Sequence, residues 1–376
     1  MSDKSEIHRG LQGVYFDRSN VTFIDGKKGI LLYRGYSIDD LAEQSTFEET
    51  CYLLIEGYLP NLKQLQEYRK KIAEKRNIPQ KLIELITNMK DSHPMDVLQT
   101  SFSYLGGLEN NNSHVLEEVK EIGINIIAKT PTIVAYHKRI RENETIVHPN
   151  KDLSHAENFL YMMSNKLPSK DESTLIDKDF ILHAEHSSNA SSFTARVVAG
   201  TGANVYASIT AAIAALSGPA HGGAAENVMT MALEIENPKN AEQYVKTKRK
   251  NKEPIMGFGH RVYRTEDPRA KHLKSGVKDL SEKFNETQWL QILDAVENEM
   301  APYKRLGVAA NVDFYAGVVY YLLNIPHEFF VPIFAIGRIP GWIISIIEQY
   351  EKNILIRPLL EYNGPNQREY IPIEKR

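Results

Sequence analysis

Three short stretches of this sequence place an ionisable side chain beside glycine. Ser217–Gly223 (SGPAHGG) carries His221. Met256–Arg264 (MGFGHRVYR) carries His260 and leads into Asp267-Pro268-Arg269, and Asn311–Gly317 (NVDFYAG) carries Asp313. Glycine frees the backbone to take unusual angles and lets a ligand approach the main chain. A carboxylate base, two imidazoles and several arginines form a set suited to acid–base chemistry on an anionic substrate. Taken singly, each residue has a plainer explanation. His221 could follow a helix stopped by glycine, His260 could sit in an ordinary turn, and Asp313 could cap the helix that follows. It is their joint presence that points to a catalytic cleft.

A metal centre is the rival chemistry. His183-Ala184-Glu185-His186 would set two imidazoles at i and i+3 on one helical face. The i, i+4 pair with an internal base is absent, and no cysteine completes a shell, so hydrogen bonding to substrate or core structure is the preferred reading and no metal or cofactor is expected. Gly200-Thr201-Gly202 has no strand before it, which removes the context of a dinucleotide fingerprint.

The elements that must position these residues read as helices. Apart from one hairpin, Val21–Ile24 and Ile30–Tyr33 around a glycine-containing turn, strand-like alternation is nearly missing. Ser37 with Asp40 offers a capping box for a short helix ending near Gln44. Asn61 can cap a helix over Leu62–Arg76. Helical periodicity continues through Val115–Ala128, Thr132–Arg141, Leu153–Asn165, Ile176–His186, Val205–Leu216, Ala225–Glu236, Pro268–Phe284, Gln288–Met300, Val312–Leu323 and Ile339–Glu351. The fold class is therefore all-α with a small N-terminal β-hairpin. Alanines at 207, 211, 212, 214 and 215 mark Val205–Leu216 as a buried helix or a subunit interface.

Composition excludes several functions. A net charge of −3 gives no electrostatic case for nucleic acid. Cys51 is the only cysteine, so no internal disulfide forms, and a reducing, cytoplasmic compartment is expected. The first ten residues lack the apolar core of a signal peptide. The most apolar stretch, Gly317–Ile347, is interrupted by charges and prolines and reads as buried helices joined by short turns, not as a membrane span. The Val245–Glu253 charge run reads as a solvated loop or helix end.

Taken together, GPAHG at Gly218–Gly222, GFGHRVYRTEDPR at Gly257–Arg269 and NVD at Asn311–Asp313 closely resemble the citrate synthase family. The resemblance extends from GILLYRGYSIDDL at Gly29–Leu41 and FEETCYLLIEGYLP at Phe47–Pro60 to RPLLEYNGP at Arg357–Pro365, in the compact prokaryotic form. It implies a two-domain helical fold, with a large domain of residues 1–222 and 326–376 and a small domain of 223–325 carrying His260 and Asp313. It also implies a homodimer. The implied reaction condenses acetyl-CoA with oxaloacetate and water to give citrate and CoA. In it Asp313 is the base, His221 stabilises the enolate and His260 is the acid at the oxaloacetate carbonyl. His186, Arg269 and Arg338 would bind oxaloacetate, and Arg357 would reach the neighbouring subunit's site. CoA would lie along Ile255, Gly257 and Gly259, with Arg264 near its phosphates and Lys246–Lys252 as a further contact. The related 2-methylcitrate synthases, which use propionyl-CoA, share these groups. One methylene in an apolar pocket discriminates by only about 1–3 kcal/mol.

Overall fold

A computed structural model describes residues 6–376. The N-terminal strands β1 (Thr22–Asp25), β2 (Ile30–Tyr33) and β3 (Tyr36–Ser37) form one antiparallel sheet, with Thr22 opposite Tyr33 and Leu32 opposite Ser37. The hairpin is where the sequence places it. The third strand is two residues long, too short to show alternation.

Sixteen α-helices follow among the described residues, as expected of the all-α class. They begin with α1 (Ile38–Gln44), α2 (Phe47–Glu56), α3 (Leu62–Glu74), α4 (Gln80–Asn88), α5 (Pro94–Glu109) and α6 (Leu116–Arg141). The middle of the chain supplies α7 (His155–Ser164), α8 (Lys170–His183), α9 (Ala190–Gly200), α10 (Val205–Leu216) and α11 (Ala224–Ile235). The remainder are α12 (Ala241–Lys250), α13 (Ala270–Lys283), α14 (Gln288–Met300), α15 (Asp313–Leu322) and α16 (Phe330–Glu351). Asn61 with Gln64, Ser154 with Glu157 and Ser169 with Glu172 form complete capping boxes on α3, α7 and α8. The box expected of Ser37 and Asp40 does not form. The Ser37 hydroxyl accepts from Asp39 N, and Asp40 instead accepts from the Gln44 side chain.

Two prolines expected to break helices do not. Pro131 lies inside α6, which joins the two stretches expected on either side of it, and Pro340 lies inside α16, which starts nine residues before the expected Ile339. A proline removes one backbone bond and costs about 3 kcal/mol in an exposed helix. Here that cost is offset by burial, since α6 is covered continuously from Ile126 to His137 and α16 from Ile339 to Ile347. The 327–351 segment is long and apolar enough to cross a membrane by composition, yet its apolar window is wholly buried in the protein.

Helix α16 is the axis of the core and packs against α2, α6, α8, α9 and α10. Helix α10 buries Ile209, Ala212 and Ile213 against α9 and α5 while Ala207 and Ala214 stay exposed. The α16–α8 crossing is close because Gly341 has no side chain. A Cβ there would lie 2.4 Å from the Ala184 carbonyl oxygen. Gly341→Ala should therefore lower stability in urea unfolding by about 1–3 kcal/mol. Gly107→Ala, where the added methyl meets nothing within 4 Å, should be neutral or gain up to about 1 kcal/mol.

Candidate active site

His260 sits in a turn shaped by two glycines with positive φ, Gly257 at 76° and Gly259 at 82°. A Cβ on Gly257 would lie 2.8 Å from the Phe314 Cβ. This glycine segment pairs with the residues just before α15. Gly259 N donates to Ala309 O (2.9 Å), Asn311 N to Gly257 O (2.9 Å) and Asn311 Nδ2 to Gly259 O (3.0 Å). The same ladder thus holds His260 and Asp313, which are 53 residues apart in the chain.

The His260 Nδ1 accepts from the backbone N–H groups of Val262 (3.0 Å) and Tyr263 (3.2 Å), which leaves the proton of a neutral ring on Nε2. Burial, with help from the Arg269 charge, pushes its pKa down to about 4. His186 stacks edge-on to it, with ring centroids 5.1 Å apart, and its Nε2 lies 3.2 Å from the Tyr263 hydroxyl. Burial and the nearby Arg269 also hold His186 well below the usual imidazole range. Helix α8 ends at His183, so His183 and His186 do not share a helical face, contrary to the sequence reading. His183 Nδ1 turns back to Asp179, and the metal pairing loses its geometric basis.

His221 lies in the turn between α10 and α11. Ser191 N donates to its Nε2 (3.3 Å), and the Ser191 hydroxyl, which accepts from Trp342 Nε1 (3.0 Å), is 2.8 Å from the same nitrogen. That pattern puts the proton of a neutral His221 on Nδ1. Burial, then the Arg338 charge, lowers its pKa to about 4.

Arg269 and Arg338 are 4% and 2% exposed. Arg269 is held in a fork by Asp267, through Nε at 2.9 Å and Nη2 at 2.7 Å. Burial works against its charge, but Asp267 outweighs that and its pKa rises. Arg338 donates from Nε to the His183 carbonyl and lies over the Phe334 ring, 4.7 Å from its centroid. It makes no ion pair within 4.0 Å among the described residues, and burial lowers its pKa to about 10. Asp313 opens α15. No protein donor lies within hydrogen-bonding range of its carboxylate among the described residues, and burial raises its pKa against the pull of His183 and Arg269.

The structure thus gathers His186, His221, His260, Asp313, Arg269 and Arg338 into one region. Gly257 and Gly259 border it, Arg264 reaches back to His260 O from the exposed side, and Ile255 is buried beside them. Arg357 stands apart, exposed in the extended segment after α16. Lys246–Lys252 lie at the exposed end of α12, where Lys246 and Lys248 pair with Glu242 and Glu253. Three contributors escape sequence reasoning. Asp267 holds Arg269 and also accepts from Val312 N (3.3 Å), Phe334 contacts His183, His221 and Arg338, and Tyr33 ties the Glu185 backbone through its hydroxyl. Only Asp267 carried a signal, two residues before Arg269 in a conspicuous motif.

Residues 10–359 match the family described as citrate synthase, C-terminal domain. Citrate synthase 2 of Bacillus subtilis is 44% identical over 98% of this chain and 99% of its own length. 2-Methylcitrate synthase 2 of Corynebacterium glutamicum is 40% identical over 99% of this chain and 98% of its own. The crystal structure of citrate synthase from Pyrobaculum aerophilum superposes with a TM-score of 0.93 at 40% identity, covering 98% of this chain and 95% of that one. A ternary complex of carboxymethyl coenzyme A and oxaloacetate with the Thermoplasma acidophilum citrate synthase gives 0.94 at 32% identity, covering 99% and 100%.

The depressed histidines set an expectation. Below pH about 6.5 an unfolded chain takes up protons that folded His221 and His260 refuse, so their contribution to stability falls from there to about pH 4 and then levels off. Imidazole nitrogen shifts by NMR should show both rings neutral at pH 5.5, His260 protonated on Nε2 and His221 on Nδ1. Titration of either ring above pH 6 contradicts the assignment.

Proposed function

Because this chain belongs to the citrate synthase family, we propose that it condenses acetyl-CoA with oxaloacetate and water to give citrate and CoA at the His221–His260–Asp313 site. The observation that carries this is one carboxylate with no protein donor among the described residues, in the same region as two imidazoles that burial, aided by the Arg269 and Arg338 charges, keeps neutral. Asp313 takes a proton from the thioester methyl group. A carboxylate is far weaker than the base this needs, and each pKa unit of mismatch costs about 1.4 kcal/mol. His221 lowers that barrier by donating its Nδ1–H to the developing enolate oxygen. The enolate carbon then attacks the keto carbon of oxaloacetate while His260 donates from Nε2 to the keto oxygen. Water hydrolyses the resulting citryl thioester and releases CoA.

Oxaloacetate presents two carboxylates, and Arg269 and Arg338, assisted by His186, are the matching receptors. The guanidinium fork suits a carboxylate as a lysine does not. CoA lies against the Ile255, Gly257 and Gly259 backbone, with Arg264 toward its phosphates and the Lys246–Lys252 end of α12 as an outer contact. Residues 223–325 form a small domain that closes on a large one of 1–222 and 326–376, excluding water from the intermediate. The chemistry needs no metal or cofactor, and the enzyme works in the cytoplasm.

A homodimer completes the site. After α16 the chain is extended, with Ile354, Leu359 and Leu360 at 70%, 88% and 97% exposure. Apolar side chains spaced along such a segment favour cover by a second copy. Arg357 lies among them and reaches the partner's oxaloacetate.

Purified protein should release CoA thiol from acetyl-CoA plus oxaloacetate, unaffected by a chelator. No release sinks the proposal, and a higher kcat/KM with propionyl-CoA would make it a 2-methylcitrate synthase, as the Corynebacterium relatives are named. Asp313→Asn should lose at least about 100-fold in kcat with its fold intact. Inactive Asp313→Asn and Arg357→Ala subunits, when mixed, should recover roughly a quarter of wild-type activity, since each mixed dimer has one intact site. No recovery, with hybrid dimers demonstrated, contradicts the cross-subunit role.

A further inference from the structure

The β1–β2 turn is pressed against the segment that follows His260. Gly26 O accepts from Arg264 N at 2.7 Å, and a Cβ on Gly26 would lie 2.2 Å from the Val262 carbonyl oxygen. Gly29, at φ 66°, backs onto Thr265 and Glu266, with its missing Cβ 3.0–3.1 Å from them. The Val262 oxygen facing Gly26 and the Glu266 oxygen facing Gly29 are backbone obstacles, and the third neighbour is the Thr265 methyl, so glycine lets the turn seat this closely. Val262 is also one of the two residues whose N–H groups fix the His260 ring.

One helix further on, a second contact joins the same two stretches of chain. Asp39 and Glu43, one turn apart on α1, bracket His272 of α13, with Nε2 2.7 Å from Asp39 and Nδ1 2.7 Å from Glu43. Lys271 adds a bond to Asp39 at 2.9 Å, and Lys178 of α8 steadies Glu43 at 2.8 Å. His272 is buried, three residues beyond Arg269. The sheet turn and α1 therefore grip the chain on both sides of the Asp267–Arg269 fork.

We propose that the β1–β2 turn and α1 form a latch, and that Gly26, Asp39 and Glu43 are positioning residues that hold His260 and Arg269 in their oxaloacetate-binding arrangement. None of the three lies among the groups assigned to substrate. They act by setting the fraction of molecules in which the 260–272 segment is docked, and apparent affinity scales with that fraction. The idea rests on the proposed synthase reaction and extends it to how its site is assembled.

Calorimetry on the full-length protein tests this, because stoichiometry and Kd for oxaloacetate are read separately. Asp39→Asn/Glu43→Gln keeps side-chain shape at exposed or half-exposed positions while removing both charges, and should weaken oxaloacetate binding by about fivefold or more at an unchanged one site per chain. Gly26→Ala should do the same and raise KM more than it lowers kcat. His272→Lys, which places an ammonium between the two carboxylates, should retain most of the affinity. A merely structural role would instead lower stoichiometry and melting temperature with Kd unchanged, and that result overturns the latch. Wild-type Kd in the charge-neutral variant overturns it as well, even if Gly26→Ala does not fold. Wild-type protein that binds no oxaloacetate overturns the proposed function itself, and the latch with it.

Discussion

Two guanidinium groups buried out of water constrain everything else in this site. A buried charge carries a penalty of several kcal/mol unless it is paired. The two arginines meet that penalty differently. Arg269 is neutralised by the Asp267 fork. Arg338 has a backbone carbonyl and an aromatic face but no carboxylate at contact distance. Among the described residues its positive charge has no ion-pair partner within 4.0 Å. Burial is what chiefly keeps His186, His221 and His260 neutral, and the arginine charges add to it: Arg338 at His221, Arg269 at His260 and both at His186.

Holding an unpaired buried charge in place demands a stiff frame. Helix α16 carries both Arg338 and Phe334 and is covered by neighbours along most of its length. Tyr33, from the small sheet, ties down the Glu185 backbone just beyond α8, next to His186. Asp267 joins the other half of the site, bonding at once to Arg269 and to the first turn region of α15 where Asp313 sits. A displacement of any one of these elements would move a charge as well as a side chain.

Much of this was legible in the sequence, and what was not has identifiable causes. Helices with strong apolar periodicity, such as α10 and α14, fall where expected to the residue. Helices α2, α4, α5 and α9 did not stand out from periodicity, and α9 opens on a run of small polar residues that suits a turn equally well. Pro131 and Pro340 misled because local propensity knows nothing of the burial that overrides it. The His–His–Asp set was recognisable from glycine context and motif order. Tyr33 and Phe334 were not, since an aromatic residue in a strand or an apolar helix is indistinguishable from ordinary core until the chain is folded around it.

Arg338 is proposed as the buried cation that receives a substrate carboxylate. Calorimetric titration of oxaloacetate into Arg338→Lys and wild-type protein tests it most directly, because lysine keeps the charge but loses the planar fork. Arg338→Lys should fold and bind oxaloacetate at least about 30-fold more weakly, the loss of roughly 2 kcal/mol expected of one charge-assisted contact. Binding at wild-type affinity would contradict it.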